Sequence, residues 1–135
     1  MIENNFNWNF HHLGYACKKI SEEIDIFRSL GYVNISEIYE DNSLGIYACF
    51  LSGNGPIIEL VQNIEGFNTL SSMLKHNIKI YHKAFKTKNL STDIIKLTDQ
   101  GHKLIVPPTS AVAFNGNKVS FIMLKNQFII ELIEE

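Results

Sequence analysis

Apolar and aromatic residues crowd positions 8–17, where Trp8, Phe10, Leu13, Tyr15 and Ala16 stand among few polar neighbours, and the run predicts a strand. Ser21, Glu22 and Glu23 follow, and then Ile24, Phe27 and Leu30 recur at helical spacing up to Gly31. Ser21 is the expected N-cap, the two acids suit the positive end of a helix dipole, and Gly31 can take the left-handed conformation that ends a helix. Three more apolar runs, residues 32–39, 45–51 and 56–62, predict strands. They are separated by the turn-forming Glu40-Asp41-Asn42-Ser43 and Ser52-Gly53-Asn54-Gly55. The order is β-α-β-β-β.

The same order then recurs. Residues 78–87 predict a strand, 91–100 a helix, 102–106 a strand, and 118–124 with 127–133 a hairpin. His12 matches His82, Lys18 matches Lys88, Ser21 matches Ser91, Ile24 matches Ile94 and Gly31 matches Gly101, all at an offset of 70 residues. Further on, Ile57-Ile58-Glu59-Leu60-Val61 matches Ile129-Ile130-Glu131-Leu132-Ile133 at an offset of 72. The fold class is α+β, built of two βαβββ modules in one domain of 135 residues. Module one covers residues 6–62 and module two 78–135. The linker, residues 63–77, carries Leu70, Met73 and Leu74 and predicts a short helix. Residues 107–117 are longer than a plain hairpin connection and hold apolar residues such as Phe114. They either cover a pocket, with Phe114 against a bound molecule, or pack as an edge segment on their own core.

The repeat gives each half one histidine and one glutamate. By strand alternation Phe10, His12, Gly14 and Ala16 share a face, as do Ile80, His82, Ala84 and Lys86, while His11 falls on the opposite side. A small residue after each histidine leaves room above the imidazole for a ligand or metal. Glu59 shares its face with Ile57 and Val61, and Glu131 with Ile129 and Ile133. A carboxylate on an apolar face is costly unless paired or bound to a cation. Either glutamate alone would suit an exposed edge; His12, Glu59, His82 and Glu131 together read as one divalent metal site. Two imidazoles and two carboxylates without a thiolate suit Zn, Ni, Co, Mn or Fe(II), with positions left open for water or substrate.

Composition narrows the partners. The formal net charge is −2 and Arg28 is the only arginine. No basic field for nucleic acid follows, and no set of guanidinium clamps for a polyanionic ligand. The opening Met1-Ile2-Glu3-Asn4-Asn5 lacks a basic leader region, and no apolar run reaches the roughly 20 residues of a membrane span. A cytoplasmic protein without a membrane partner is expected. Cys17 and Cys49 lack CxxC spacing and sit in apolar stretches, which predicts buried free thiols. His76 and His102 read as solvated.

The segments His11-His12-Leu13-Gly14-Tyr15-Ala16-Cys17, Ile58-Glu59-Leu60-Val61, Tyr81-His82-Lys83-Ala84-Phe85 and Ile130-Glu131-Leu132-Ile133-Glu134 resemble the four metal-strand signatures of the vicinal oxygen chelate superfamily. That family includes glyoxalase I, methylmalonyl-CoA epimerase, extradiol dioxygenases and bleomycin-resistance proteins. The resemblance implies paired modules curled into an incomplete barrel around the metal, and a homodimer. It further implies a metal-dependent isomerase or lyase that moves a proton on a small oxygen-chelating substrate through an enediolate or enolate, with Glu131 as first choice of base and Glu59 as second. Where the epimerases place a further glutamate this chain has Ala48, with Ser120 as its counterpart at the same offset of 72. Ala48, Phe114 and Ser120 are therefore the expected substrate contacts. The alternative is a small-molecule binding or sequestering protein on the same fold.

Overall fold

The computed structural model describes residues 6–135; the reading of residues 1–5 lies outside the described residues. The elements run β1 (Asn9–Ala16), α1 (Ile20–Ser29), β2 (Val33–Asn34), β3 (Tyr39–Asp41), β4 (Ile46–Ser52), β5 (Ile58–Asn63), α2 (Ser71–Lys75), β6 (Ile80–Thr87), α3 (Leu90–Asp99), β7 (Lys103–Ser110), a 3₁₀ turn (Val112–Phe114), β8 (Lys118–Met123) and β9 (Ile129–Glu134). All nine strands join one curled, unclosed sheet in the order β2-β4-β5-β1-β6-β9-β8-β7, with β3 added on β4. No helix among the described residues is long and apolar enough to cross a membrane.

The two modules meet at the centre, where β1 and β6 pair antiparallel. Each is flanked by the last strand of its own module: β5 runs parallel to β1 with Leu13 opposite Ile58, and β9 parallel to β6 with Lys83 opposite Ile130. These are the same pairs under the offsets of 70 and 72. Helices α1 and α3 cover one side of the sheet, whereas Leu70 at the start of α2 packs on Ala16, Ile46, Ala48 and Val61 of the other. Ile20 and Ile24 of α1 pack with Cys49, Leu51, Ile58 and Leu60, and Leu90 and Leu97 of α3 pack with Ile122, Ile130 and Leu132. Cys17 and Cys49 are buried and free, and burial pushes their thiols up to about 12 and about 11.

Several local expectations are corrected. Helix α1 begins at Ile20, with Lys19 at the cap position and no side chain capping it locally. Ser21 lies inside the first turn; the Ile20 N–H is instead satisfied by Gln62 Oε1, 2.9 Å away on β5, so a tertiary contact replaces the local cap. The strand expected over residues 32–39 is only the short pieces β2 and β3. In module two the counterpart strand is longer than expected, because β7 continues through Pro107 and Pro108 to Ser110. β7 is an edge strand, where a residue without an N–H is tolerated, and its pairing with β8 is irregular between Val106 and Thr109. The loop that remains is short and tethered. Asp41, buried at the end of β3, accepts the Leu44 N–H on one oxygen (3.1 Å) and the Val112 N–H on the other (3.0 Å). One carboxylate thus closes the β3–β4 turn and holds the 3₁₀ turn of the other module.

A candidate metal centre at the module seam

His12, Glu59, His82 and Glu131 stand on β1, β5, β6 and β9, four consecutive strands of the sheet. All four are buried. His12 Nε2 lies 3.2 Å from Glu59 Oε1, 3.3 Å from Glu131 Oε1 and 3.2 Å from His82 Nε2. His82 Nε2 lies 3.4 Å from Glu59 Oε1 and 3.2 Å from Glu131 Oε1. One ligand atom of each residue falls within 4.8 Å of all the others.

The chemistry of this donor set fits a divalent ion. Two neighbouring ligand atoms, each about 2.0–2.2 Å from one ion, stand roughly 3.0–3.5 Å apart, the spacing found here. Glu131 Oε1 is fully enclosed and receives no well-directed hydrogen bond, although both imidazole nitrogens are at ion-pair distance. Four lone-pair donors converging in a buried interior require protons or a cation between them. Without a cation, protons serve. Burial alone would lower the His12 imidazole, but Glu59 and Glu131 outweigh it and raise it to about 9. His82 is raised by the same carboxylates against its own burial. Both carboxyls are held below the usual carboxylate range: burial opposes this, and contact with His12 and His82 prevails.

The packing around the imidazoles follows from the β1–β6 register. Gly14 pairs with His82 and His12 pairs with Ala84, so each histidine faces the small residue of the other module. The room expected over Gly14 is filled by the partner imidazole: a Cβ there would lie 2.0 Å from His82 Cε1. Aromatic rings wall the rest. Phe114 stacks on His12 with centroids 6.2 Å apart, Phe50 meets His12 edge-on at 5.2 Å, and Phe121 meets His82 edge-on at 5.4 Å. Tyr81 stands edge-on to His82 at 4.4 Å, its phenol pushed well above its ordinary value by burial and then by Glu59 and Glu131.

Of the expected substrate contacts, Ala48 and Phe114 line a small inner cavity of about 20 Å³ together with Glu59, Glu131, Tyr81 and Phe121. Ser120 does not join them. It alternates onto the helix-covered side with Ile122, and its Oγ is buried without a partner. The offset of 72 fails there because the second hairpin is one residue longer: Phe50 faces Glu59, whereas Phe121 faces Glu131. The register counterpart of Ala48 is Val119, which faces Ile133 as Ala48 faces Val61. Two larger cavities adjoin the inner one. One, about 370 Å³, shares Tyr39, Ala113 and Phe114 with it and holds the polar groups of His11, Ser36 and Lys86. The other, about 260 Å³, shares Leu44, Ile46, Tyr81 and Phe121 and is otherwise walled mainly by Met73, Ile105, Val106 and Ile129.

His11 was expected on the far face and is not there. The β1–β6 pairing is irregular between Phe10 and His12, and this bulge turns the His11 ring to within 2.7 Å of His12, Nδ1 to Nδ1. Burial and the neighbouring His12 lower its imidazole to about 4. Phe50 and Phe121 were also missed. Their signal is present in the sequence as a repeat offset by 71, between the offsets of 70 and 72 that relate the histidines and the glutamates.

No curated protein matches the chain in sequence. Among solved structures, it is similar to a hypothetical protein of Bacillus halodurans C-125, with a TM-score of 0.80 at 19% identity, covering 96% of this chain and 95% of that one. It is also similar to methylmalonyl-CoA epimerase from Mycobacterium tuberculosis, with a TM-score of 0.80 at 20% identity and coverage of 98% and 92%. A methylmalonyl-CoA epimerase in complex with methylmalonyl-CoA and NH4+ gives a TM-score of 0.78 at 17% identity, covering 95% and 94%. These likenesses are of fold. The sequence itself matches the family model of the glyoxalase/bleomycin resistance protein/dioxygenase superfamily over residues 11–121, and the chain belongs to that family.

Proposed function

We propose that this protein is a metal-dependent isomerase or lyase of the glyoxalase or epimerase type, acting by proton transfer on a small substrate with adjacent oxygens. The observation that carries this reading is the convergence of two imidazoles and two carboxylates from four adjacent buried strands, with a carboxylate oxygen that lacks a directed partner. His12, Glu59, His82 and Glu131 would hold a divalent ion, Zn, Ni, Co, Mn or Fe. Bound there, it would supply fixed positive charge against which negative charge on the substrate oxygens develops.

The chain's own groups do the remainder. Glu131 is the proposed base and Glu59 the second choice. Ala48 brings no further carboxylate to the inner cavity, and its register counterpart Val119 brings none either. Asp41, also in that wall, is occupied by two backbone N–H groups. Proton transfer therefore rests on one carboxylate that returns what it takes, or on a pair acting from within the ligand set. The apolar 260 Å³ cavity would take the rest of the substrate, with Phe114 and Ala48 nearer the reacting atoms. The chain is proposed to work in the cytoplasm as a homodimer.

Elemental analysis of purified protein, with and without His82→Ala, tests the site. About one equivalent of divalent metal in the wild type and none in the variant is expected. A thermal-shift panel then tests the chemistry: 2-oxo and 2-hydroxy acids and enolisable thioesters should stabilise the protein only when metal is present. The second reading is a small-molecule binding or sequestering protein, favoured by the fact that neither of the larger cavities is lined by Glu59 or Glu131. Stabilisation by a bulky aromatic compound without metal, and none by the acids, would select it.

A further inference from the structure

The two imidazoles of the centre are fixed by different means. His82 Nδ1 is buried with no hydrogen-bond partner, and its ring is wedged against the bare backbone of Gly14. His12 Nδ1 instead meets His11 Nδ1 at 2.7 Å. Two ring nitrogens at that distance share one proton, so one donates and the other accepts. His12 Nε2 is the atom turned toward Glu59, Glu131 and His82. When its lone pair is given to a cation, the remaining proton of neutral His12 sits on Nδ1, and His11 Nδ1 can only accept.

We infer that His11 is a positioning residue for the metal centre: it accepts the His12 Nδ1–H and thereby holds His12 in the tautomer and ring orientation that present Nε2 to a divalent cation. The inference rests on the proposed metal site and adds to it a residue outside the four ligands. The bulge at His11 is what makes the contact possible, since regular alternation would turn the ring away. Edge-on contacts with Phe50 (5.8 Å) and Phe114 (5.5 Å) keep the acceptor in place. Module two has no equivalent device, because Tyr81 precedes His82 there and offers no ring nitrogen. A partner for the second nitrogen of a ligating imidazole commonly accounts for a 10- to 100-fold effect on metal affinity.

The test is a competition titration of zinc with a chromophoric chelator on the full chain, as wild type, His11→Leu and His11→Asn. Leu fills the space without an acceptor, whereas Asn keeps an acceptor near the Nδ1 position. We expect His11→Leu to bind zinc about 10- to 100-fold more weakly and His11→Asn to recover most of that loss. Long-range ¹H–¹⁵N spectra of the zinc-loaded wild type should show His12 protonated on Nδ1 and His11 protonated on Nε2. These spectra decide the matter even if His11→Leu fails to fold. Wild-type affinity in folded His11→Leu, or a His11 proton on Nδ1, overturns the inference while leaving the four-ligand site standing. No zinc uptake by the wild type overturns both.

Discussion

The imidazole of His82 occupies the space in which a side chain at Gly14 would stand: a Cβ there would lie 2.2 Å from Nδ1 and 2.5 Å from Nε2. Gly14→Ala must therefore push the ring off its present position. Backbone and ring are both enclosed, so the strain should cost about 1–3 kcal/mol. Zinc affinity should fall with it. Urea unfolding together with a zinc titration checks this, and an unchanged affinity in Gly14→Ala would show that the clash is relieved without moving the ring.

Glu131→Gln and His12→Ala should separate ligation from proton transfer. Gln keeps a coordinating oxygen but cannot take up a proton near neutral pH, so metal is retained in part and turnover falls about 10²- to 10⁴-fold. His12→Ala deletes a ligand and should lose both. The measurement is metal content beside turnover on a substrate found in the thermal-shift panel; equal turnover in Glu131→Gln and wild type removes Glu131 as base.

The metal-free protein should lose stability as the solution becomes alkaline. Burial lowers the His12 imidazole, yet Glu59 and Glu131 outweigh it and set it at about 9, above its ordinary 6.5. A group whose pKa is raised on folding contributes fully below its unfolded value and loses that contribution as pH rises through the folded one. The window is thus pH 6.5 to 9. Glu59 and Glu131, lowered on folding, contribute above the ordinary carboxylate value and lose it in acid. Urea midpoints measured in a chelator should fall between pH 6.5 and 9, and added zinc should flatten the fall. Identical chelator midpoints at the two ends of that window would contradict the raised imidazole.

Asp41→Ala should free the segment that carries Phe114. Two N–H groups, of Leu44 and Val112, lose a charged acceptor at once, a loss of about 1.5–3 kcal/mol for each hydrogen bond that water does not replace. Hydrogen exchange at the Val112 and Leu44 amides should accelerate well beyond that of the β1 and β6 amides. Exchange as slow as in the wild type would show that the tether is dispensable.

A homodimer is expected at micromolar concentration. The sheet ends in the open edges β2 and β7, and Val33, Ile35, Ile38 and Ile105 near those edges leave apolar surface exposed. Sedimentation showing only monomer would refute it.

The repeat made the architecture readable, because His12 and His82, or Gly31 and Gly101, carry the same chemistry at one spacing and strand alternation turns both histidines inward. Glu59 and Glu131 were readable for the opposite reason: a charge among Ile and Val has few physical excuses. What escaped were departures from regularity. His11 is brought to the centre by a bulge, which no periodicity of two anticipates. Ser120 lies on the helix side because one hairpin is a residue longer than the other, and a single residue reverses the face. Pro107 and Pro108 sit in a strand because that strand is an edge. Asp41 looked like turn chemistry, and half of its work is done 71 residues away.

The pairing of Gly14 with His82 and of His12 with Ala84 means that neither half of the chain contains a finished centre. Each half offers one imidazole, one carboxylate and a small residue, Gly14 or Ala84, opposite the other's histidine. Two separate half-chains would have to find one another in solution, and the yield of complete centres would rise and fall with their concentration. Joined by the residues between β5 and β6, they meet by intramolecular collision at an effective concentration set by that connection, about millimolar for a short flexible tether. The centre then forms at any dilution, and capture of an ion, if the proposed site holds one, would report that both halves have docked in register.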